Sequence, residues 1–157
     1  MTNEVSIDPL SQPAGEVAEP TFPLLKPDKQ YEMVIRGSEE VEFTSDAGKV
    51  SQCWDLKLCT TKNEISTEDQ TIYEGATVFV RIFLTPNEYS TADQIGKLAA
   101  MPVKAALGAK TTTTARQCIN DPSLIVGKIV NVKIGIKKDK KGNYPDQNVV
   151  KTWIVPV

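Results

Sequence analysis

The strongest constraint on the fold of this chain is a period of two that runs through residues 127–153. In the first part of this stretch every second residue is apolar: Val130, Val132, Ile134 and Ile136. Such alternation is typical of a β-strand with one buried face and one face in water. Gly142 and Asn143, which tolerate positive φ, then favour a tight turn, and alternation resumes beyond it. Residues 127–153 therefore predict a β-hairpin.

Cations are concentrated along the same hairpin. Its lysines are Lys133, Lys137, Lys138, Lys140, Lys141 and Lys151. Asp139 and Asp146 are the acidic residues among them, and two aromatic residues, Tyr144 and Trp153, are interleaved. Lysines neutralise phosphates and aromatic rings stack on bases, so this mixture suits a nucleic acid. These eight lysine and aromatic residues are candidate binding residues.

The charge of the chain is divided unevenly along its length. Residues 1–94 carry seventeen Asp and Glu against seven Lys and Arg, whereas residues 95–157 carry three acids and eleven bases, so that the net charge is only −2. Such asymmetry indicates a directed electrostatic surface for a nucleic acid or a protein partner. The alternative is a solvated barrel whose acidic and basic strands pair with one another.

Composition argues against several classes of enzyme. The chain has no histidine, which removes the usual general base and the commonest zinc ligand. Three cysteines without a CxxC pair favour reduced thiols over a disulfide framework. No run approaches the roughly 18 apolar residues of a membrane span, and no secretory signal is evident. We expect a cytoplasmic, non-enzymatic protein without a metal or other cofactor and without a membrane partner.

Two regions are predicted along the chain. Residues 1–27, rich in proline and acidic residues, read as a flexible, disordered arm whose Phe22, Leu24 and Leu25 could attach its end to the domain. Residues 28–157 form the domain. Its first strand spans residues 29–43 with a bend near Gly37, and the alternation places Val41 and Phe43 on the inward face.

Two further strands, residues 50–61 and 76–84, follow on either side of a polar connection at 62–75. In the second of them Phe79, Arg81 and Phe83 lie opposite the apolar face. Aromatic residues at i and i+4 on a strand are about 13 Å apart, which would allow bases to stack around a central Arg. The alternative is that a helix or a second copy covers Phe79 and Phe83, and both readings stay open.

Helical spacing over residues 86–108, with Thr91 or Asn87 as N-cap and Gly108 as the C-terminal stop, predicts a helical segment that Pro102 divides into two pieces. Residues 111–122 are predicted to be irregular. The resulting order β-β-β-α-β-β is that of an OB-fold, a five-stranded Greek-key barrel with a helical segment between strands 3 and 4. In that fold Lys57, Tyr73, Phe79, Arg81 and Phe83 join the hairpin as candidate binding residues.

Short motifs add a family resemblance. Residues 54–58 (WDLKL), 75–84, 127–132 and the pattern G-x-Y-P-x-x-N-x-V-K over 142–151 resemble small bacteriophage single-stranded DNA-binding proteins. The resemblance implies binding of single-stranded DNA, or RNA, in phage replication or recombination inside the host cytoplasm. The acidic C-terminal tail usual in bacterial single-strand binding proteins is missing, so a replication or recombination partner would bind the N-terminal arm. The alternative is a non-enzymatic interaction or assembly module, such as a phage structural or host-inhibitory protein, that forms a homo-oligomer.

Overall fold

The computed structural model describes residues 10–16, 24–25, 27–61, 64–66, 71–73, 76–143 and 145–156, with the backbone alone for 64–66 and 71–73. Its strands are β1 (Gln30–Thr44), β2 (Val50–Thr60), β3 (Glu64–Ser66), β4 (Thr71–Tyr73), β5 (Thr77–Phe83), β6 (Ile129–Lys137) and β7 (Gln147–Ile154). Its helices are α1 (Ala92–Leu107) and α2 (Ala115–Asn120), with 3-10 turns at Ala14–Glu16 and Pro122–Leu124.

Five strands form one antiparallel sheet in the order β5-β2-β1-β6-β7. The long strand β1 serves both halves of the sheet, because its first part pairs with β6 and the part from Met33 onward pairs with β2. The predicted mainly-β class with helical structure between the third and fourth strands of this sheet is confirmed. The polar connection at 62–75 contains a feature that the sequence did not predict, the two-stranded sheet of β3 and β4.

A bulge in β1 exchanges the inward and outward faces of the second half of the strand. Ile35 pairs with Leu58 but Gly37 pairs with Lys57, so one extra residue is inserted on β1 between these pairs. The bend predicted at Gly37 is therefore confirmed. The prediction that Val41 and Phe43 resume the inward face is wrong, because an inserted residue exchanges the two faces of a strand.

A second register shift occurs in β7. Lys133 pairs with Thr152, whereas Ile134 pairs with Val150. The strict alternation of the sequence places Val150 and Trp153 on opposite faces, but the shift turns both toward the interior, where they pack against the core. Trp153 is therefore partly buried and pairs with Val132, which is itself fully buried.

The core lies between the inner face of the sheet and the helices. Among its fully buried side chains are Met33, Ile35, Trp54, Leu56, Leu58, Val78, Val130, Val132 and Ile134. Trp54 is 0% exposed, and its indole Nε1 donates to Ser38 Oγ at 2.8 Å. Leu25 is only 1% exposed, which confirms its predicted attachment to the domain. Its N–H donates to Asn148 Oδ1 and its carbonyl accepts from Asn148 Nδ2, so the chain is anchored to β7.

The helices differ from the sequence prediction in two ways. α1 begins at a Thr91 capping box and ends at Gly108 (φ 102°), as predicted, but it runs through Pro102 without a break. Proline removes one N–H donor from the helix, and burial of the Pro102 ring against the core offsets that loss. Residues 115–120, predicted to be irregular, form α2 because Thr114 caps it and Cys118 is buried. Within the described residues no helix is both long and apolar enough to cross a membrane.

Candidate nucleic-acid interface

The outer surface of β1, β2 and β5 carries three exposed phenylalanines. Phe79 is 72% exposed, Phe83 45% and Phe43 37%. Cross-strand pairing sets Phe79 beside Lys57 and Phe83 beside Cys53, while the bulge in β1 brings Phe43 to the same side. We call Phe43, Phe79 and Phe83 the aromatic face. Most large apolar side chains of a folded domain are buried, so three exposed rings on adjacent strands form an unusual patch.

Two of these rings contact one another. The ring centroids of Phe43 and Phe83 are 5.8 Å apart, at an interplanar angle of 82°, which is an edge-to-face contact. The guanidinium carbon of Arg81 lies 5.3 Å from the Phe43 centroid. Sequence reasoning missed Phe43 because it continued the alternation across Gly37. Gly37 itself, a glycine inside a strand pattern, was the available sequence signal of a bulge.

Arg81 is held in place by a carboxylate. Its Nε donates to Asp55 Oδ1 and its Nη2 to Asp55 Oδ2, both at 2.8 Å, which makes a bidentate ion pair. This hydrogen bond raises the pKa of the Arg81 guanidinium further. The ion pair lies on the outer face, with Arg81 41% and Asp55 31% exposed. Asp55 was also missed by sequence reasoning, because only the strand register sets it opposite Arg81.

Because Asp55 neutralises it, Arg81 does not present a free positive charge to a ligand. It instead forms a fixed, planar group between Phe79 and the Phe43–Phe83 pair. Cys53, next to Phe83, is fully buried under this cluster, and burial raises the pKa of its thiol. The face therefore combines apolar rings with a neutralised ion pair, and exposed Lys57 and Glu39 add one charge of each sign.

The turn between β6 and β7 presents the lysines. Lys137, Lys138, Lys140 and Lys141 are all exposed on residues 137–142, which we call the lysine turn. Asp139 organises its backbone: the carboxylate accepts from Asn143 N at 2.8 Å, and the carbonyl accepts from Gly142 N at 3.1 Å. Gly142 has φ 68°, as its turn position requires. In the sequence Asp139 is only an acidic residue among the lysines. In the structure it stabilises the turn that displays them.

The other candidate residues lie in different surroundings. Lys133 is exposed on β6, whereas Lys151 forms an ion pair with Asp28 that lowers the pKa of the Asp28 carboxyl. Asp28 itself has φ 61°, in the left-handed region that Asp tolerates. Trp153 is partly buried and packs against the core. The side chain of Tyr73 and the whole of Tyr144 lie outside the described residues.

The structure does not bring all candidate residues into one cluster. Gln30, at the start of β1, pairs with Lys133, and the lysine turn lies beyond that pair. Phe43, near the end of β1, pairs with Ser51, and Phe83 is close to it. The lysine turn and the Phe43–Phe83 pair are thus at opposite ends of β1, with Lys57 and Phe79 between them along the sheet.

No protein-family model matches this sequence, and no curated protein matches it. The resemblance to phage single-stranded DNA-binding proteins that the motifs suggest therefore stays a prediction.

Proposed function

We propose that this chain is a sequence-tolerant single-stranded DNA-binding protein built on a five-stranded OB barrel. The strand order supports the proposal, because β5-β2-β1-β6-β7 is the order that such a barrel requires. The bulge in β1 bends this central strand, and such bends help a sheet to curve toward closure. The edge strands β5 and β7 also approach one another, with Cα atoms within 8 Å.

The observation that carries the proposal is the aromatic face. OB domains bind single strands across the outer surface of their second and third strands, which correspond here to β2 and β5. Phe79 is the most exposed of the three rings and stands on β5 itself. A ring held on a strand is a suitable platform for a base, because every base has a face that stacks and the contact needs no particular sequence.

Charge supplies the second part of the binding. The lysine turn and Lys133 present exposed ammonium groups at one end of the sheet, where they would neutralise phosphates of a strand that crosses the aromatic face. For single strands the slope of log K against log salt changes by about −0.7 for each phosphate neutralised. The lysines would thus contribute affinity, and the rings would contribute discrimination in favour of unpaired bases. A role in phage replication or recombination rests on the motif resemblance.

One observation favours a second candidate, a protein-interaction module. The Arg81–Asp55 pair makes the aromatic face electrically balanced, and apolar rings around a neutralised ion pair also suit the centre of a protein interface. In this case Phe43, Phe79 and Phe83 would be buried against another protein, and salt would have little effect on the contact.

Fluorescence anisotropy with a labelled oligo-dT strand distinguishes the two candidates. We expect binding at low salt that weakens as salt rises. Phe79→Ala should lower the affinity about 5- to 150-fold, from a stacking contribution of about 1–3 kcal/mol. Leu98→Ala is the matched control, because Leu98 is 58% exposed but lies on α1. Absence of binding at low salt, together with salt-insensitive binding to a protein partner that Phe79→Ala abolishes, would overturn the first candidate in favour of the second.

A further inference from the structure

The hairpin between β1 and β2 is acidic. Residues 39–49, which we call the acidic hairpin, contain four carboxylates and one lysine, a net charge of −3: Glu39, Glu40, Glu42, Asp46 and Lys49. Its turn is well ordered by hydrogen bonds. Ser45 N donates to Lys49 O and Gly48 N donates to Ser45 O, both at 2.8 Å, and Gly48 has φ 81°. The acidic hairpin therefore presents its charges on a fixed backbone.

The lysine turn carries a net charge that is equal in magnitude and opposite in sign to that of the acidic hairpin. Residues 137–142 contain four lysines and one aspartate, a net charge of +3. Hydrogen bonds to Asp139 fix this backbone as well. Two ordered turns of equal and opposite charge are thus displayed by one small domain.

Among the described residues, no ion pair joins the two turns within one molecule. The acidic hairpin continues from the end of β1, whereas the lysine turn lies beyond the start of β1. The 15 residues of β1 therefore separate the two turns by roughly 45 Å when measured along the strand at about 3.3 Å per residue, and this path bends at Gly37. Among the described residues, the ion pair that the acidic hairpin makes is Glu40 with Arg116 of α2, which leaves Glu39 and Glu42 without one.

The acidic hairpin also has features of an unoccupied contact surface. Beyond Ile35, β1 pairs with β2 on one side, and within the described part of the chain no strand pairs with its other side. Two exposed apolar side chains, Phe43 (37%) and Val50 (51%), lie on the same ribbon. An open strand edge with exposed apolar side chains favours contact with another chain, and carboxylates restrict that contact to a cationic one.

We propose that the acidic hairpin of one molecule binds the lysine turn of a second copy of this chain. Because the two surfaces differ and lie at opposite ends of the sheet, the contact is head to tail and can be repeated from molecule to molecule. The inference does not depend on nucleic acid. Where single-stranded DNA occupies the lysine turn, it competes with the neighbouring acidic hairpin for the same ammonium groups.

The contact has a defined dependence on salt and concentration. Exposed ion pairs are individually weak, and charges more than about 10 Å apart are screened at 0.1 M salt. Association should thus be of low affinity, increase with protein concentration at low salt, and disappear at about 0.5 M salt, where screening is stronger.

Sedimentation velocity of the full chain without nucleic acid tests the proposal by exchange of charge. Glu39→Lys with Glu42→Lys makes both surfaces basic, and Lys138→Glu with Lys140→Glu makes both acidic. Each double variant alone should associate at least tenfold more weakly than the original chain. An equimolar mixture of the two should recover association, because each acidic surface again has a basic partner.

Controls separate this contact from an effect of net charge. Two control double variants change the net charge by the same amounts at exposed positions on or beside α1. They are Glu88→Lys with Asp93→Lys, and Lys97→Glu with Lys110→Glu. These controls should associate as the original chain does, and circular dichroism identifies any variant that does not fold. The proposal is overturned if the original chain stays monomeric at low salt, if the hairpin and turn variants associate normally, or if two folded variants fail to associate when mixed. Loss of DNA binding would leave each of these results unchanged.

Discussion

Removing the charge of Asp55 tests whether a nucleic acid crosses the outer face of β2 and β5. In the folded chain both carboxylate oxygens of Asp55 accept hydrogen bonds from Arg81 at 2.8 Å, so the guanidinium is neutralised. Asp55→Asn keeps the size of the side chain but removes its negative charge. Arg81 would then be available to a phosphate between Phe79 and Phe83.

The expected gain in binding can be worked out from one additional phosphate contact. The slope of log K against log salt should become steeper by about 0.7, which corresponds to about fivefold tighter binding at 0.1 M relative to 1 M salt. The cost in folding should stay below about 1 kcal/mol, because the pair is partly exposed and solvent screens it. Glu39 of β1 pairs with Asp55 of β2 and could replace the lost carboxylate. Glu39→Gln should therefore be introduced both into the original chain and into the Asp55→Asn variant before they are compared.

The assay is a salt series of anisotropy titrations with labelled oligo-dT. Asp93→Asn is the matched control, because Asp93 holds Lys97 at 3.0 Å on α1, and its loss frees a cation on the helix rather than on the outer face of β2 and β5. Asp93→Asn should leave the slope unchanged, and Arg81→Gln added to Asp55→Asn should remove the gain. An unchanged slope in a folded Asp55→Asn protein would refute the placement of a nucleic acid over Arg81.

Three further predictions follow from the fold. Leu25→Ala should lower the free energy of unfolding in urea by about 2–5 kcal/mol, because Leu25 is 1% exposed; a loss under about 1 kcal/mol would show that the segment does not stabilise the domain. A thiol reagent should modify partly exposed Cys59 well before Cys53, which is buried and whose pKa burial raises, and the reverse order would contradict the packing under Phe83. Carbon-detected NMR should find the pKa of Asp28 below the usual value of about 3.9, and Lys151→Gln should raise it, whereas equal values in both proteins would argue against the ion pair. Since the folded pKa of Asp28 is the lower one, its contribution to stability is present above about pH 4 and is lost as pH falls through that pKa.

Much of the fold was accessible from sequence because it depends on local patterns. The alternation of β5 and β6 predicted their inward faces correctly, and α1 begins after Thr91, one of the two predicted N-caps, and ends at the predicted Gly108. The side chains assigned to the wrong face lie on strands in which one extra residue shifts the pairing register. The shifts at Gly37 and after Lys133 each exchange the two faces of a strand, and neither shift has an unambiguous sequence pattern.

The candidate site shows the same division. Its lysines could be identified because a charged turn between two alternating strands is a local feature. The ion pair of Arg81 with Asp55 could not, because the two residues are 26 positions apart and only the pairing of β2 with β5 sets them side by side. The exposure of Phe43 and the packing of Trp153 also depend on register.

The sequence by itself thus determined the five strands of the main sheet, the position of α1, and that the last hairpin is basic. These properties follow from short-range periodicity and from the chemistry of single residues. Only the tertiary structure decided that Arg81 is neutralised, that Phe43 belongs to the aromatic face, and that the acidic hairpin and the lysine turn lie at opposite ends of the sheet. Each of these depends on which residue pairs with which across strands, and pairing is set by the packing of the whole sheet rather than by any one segment.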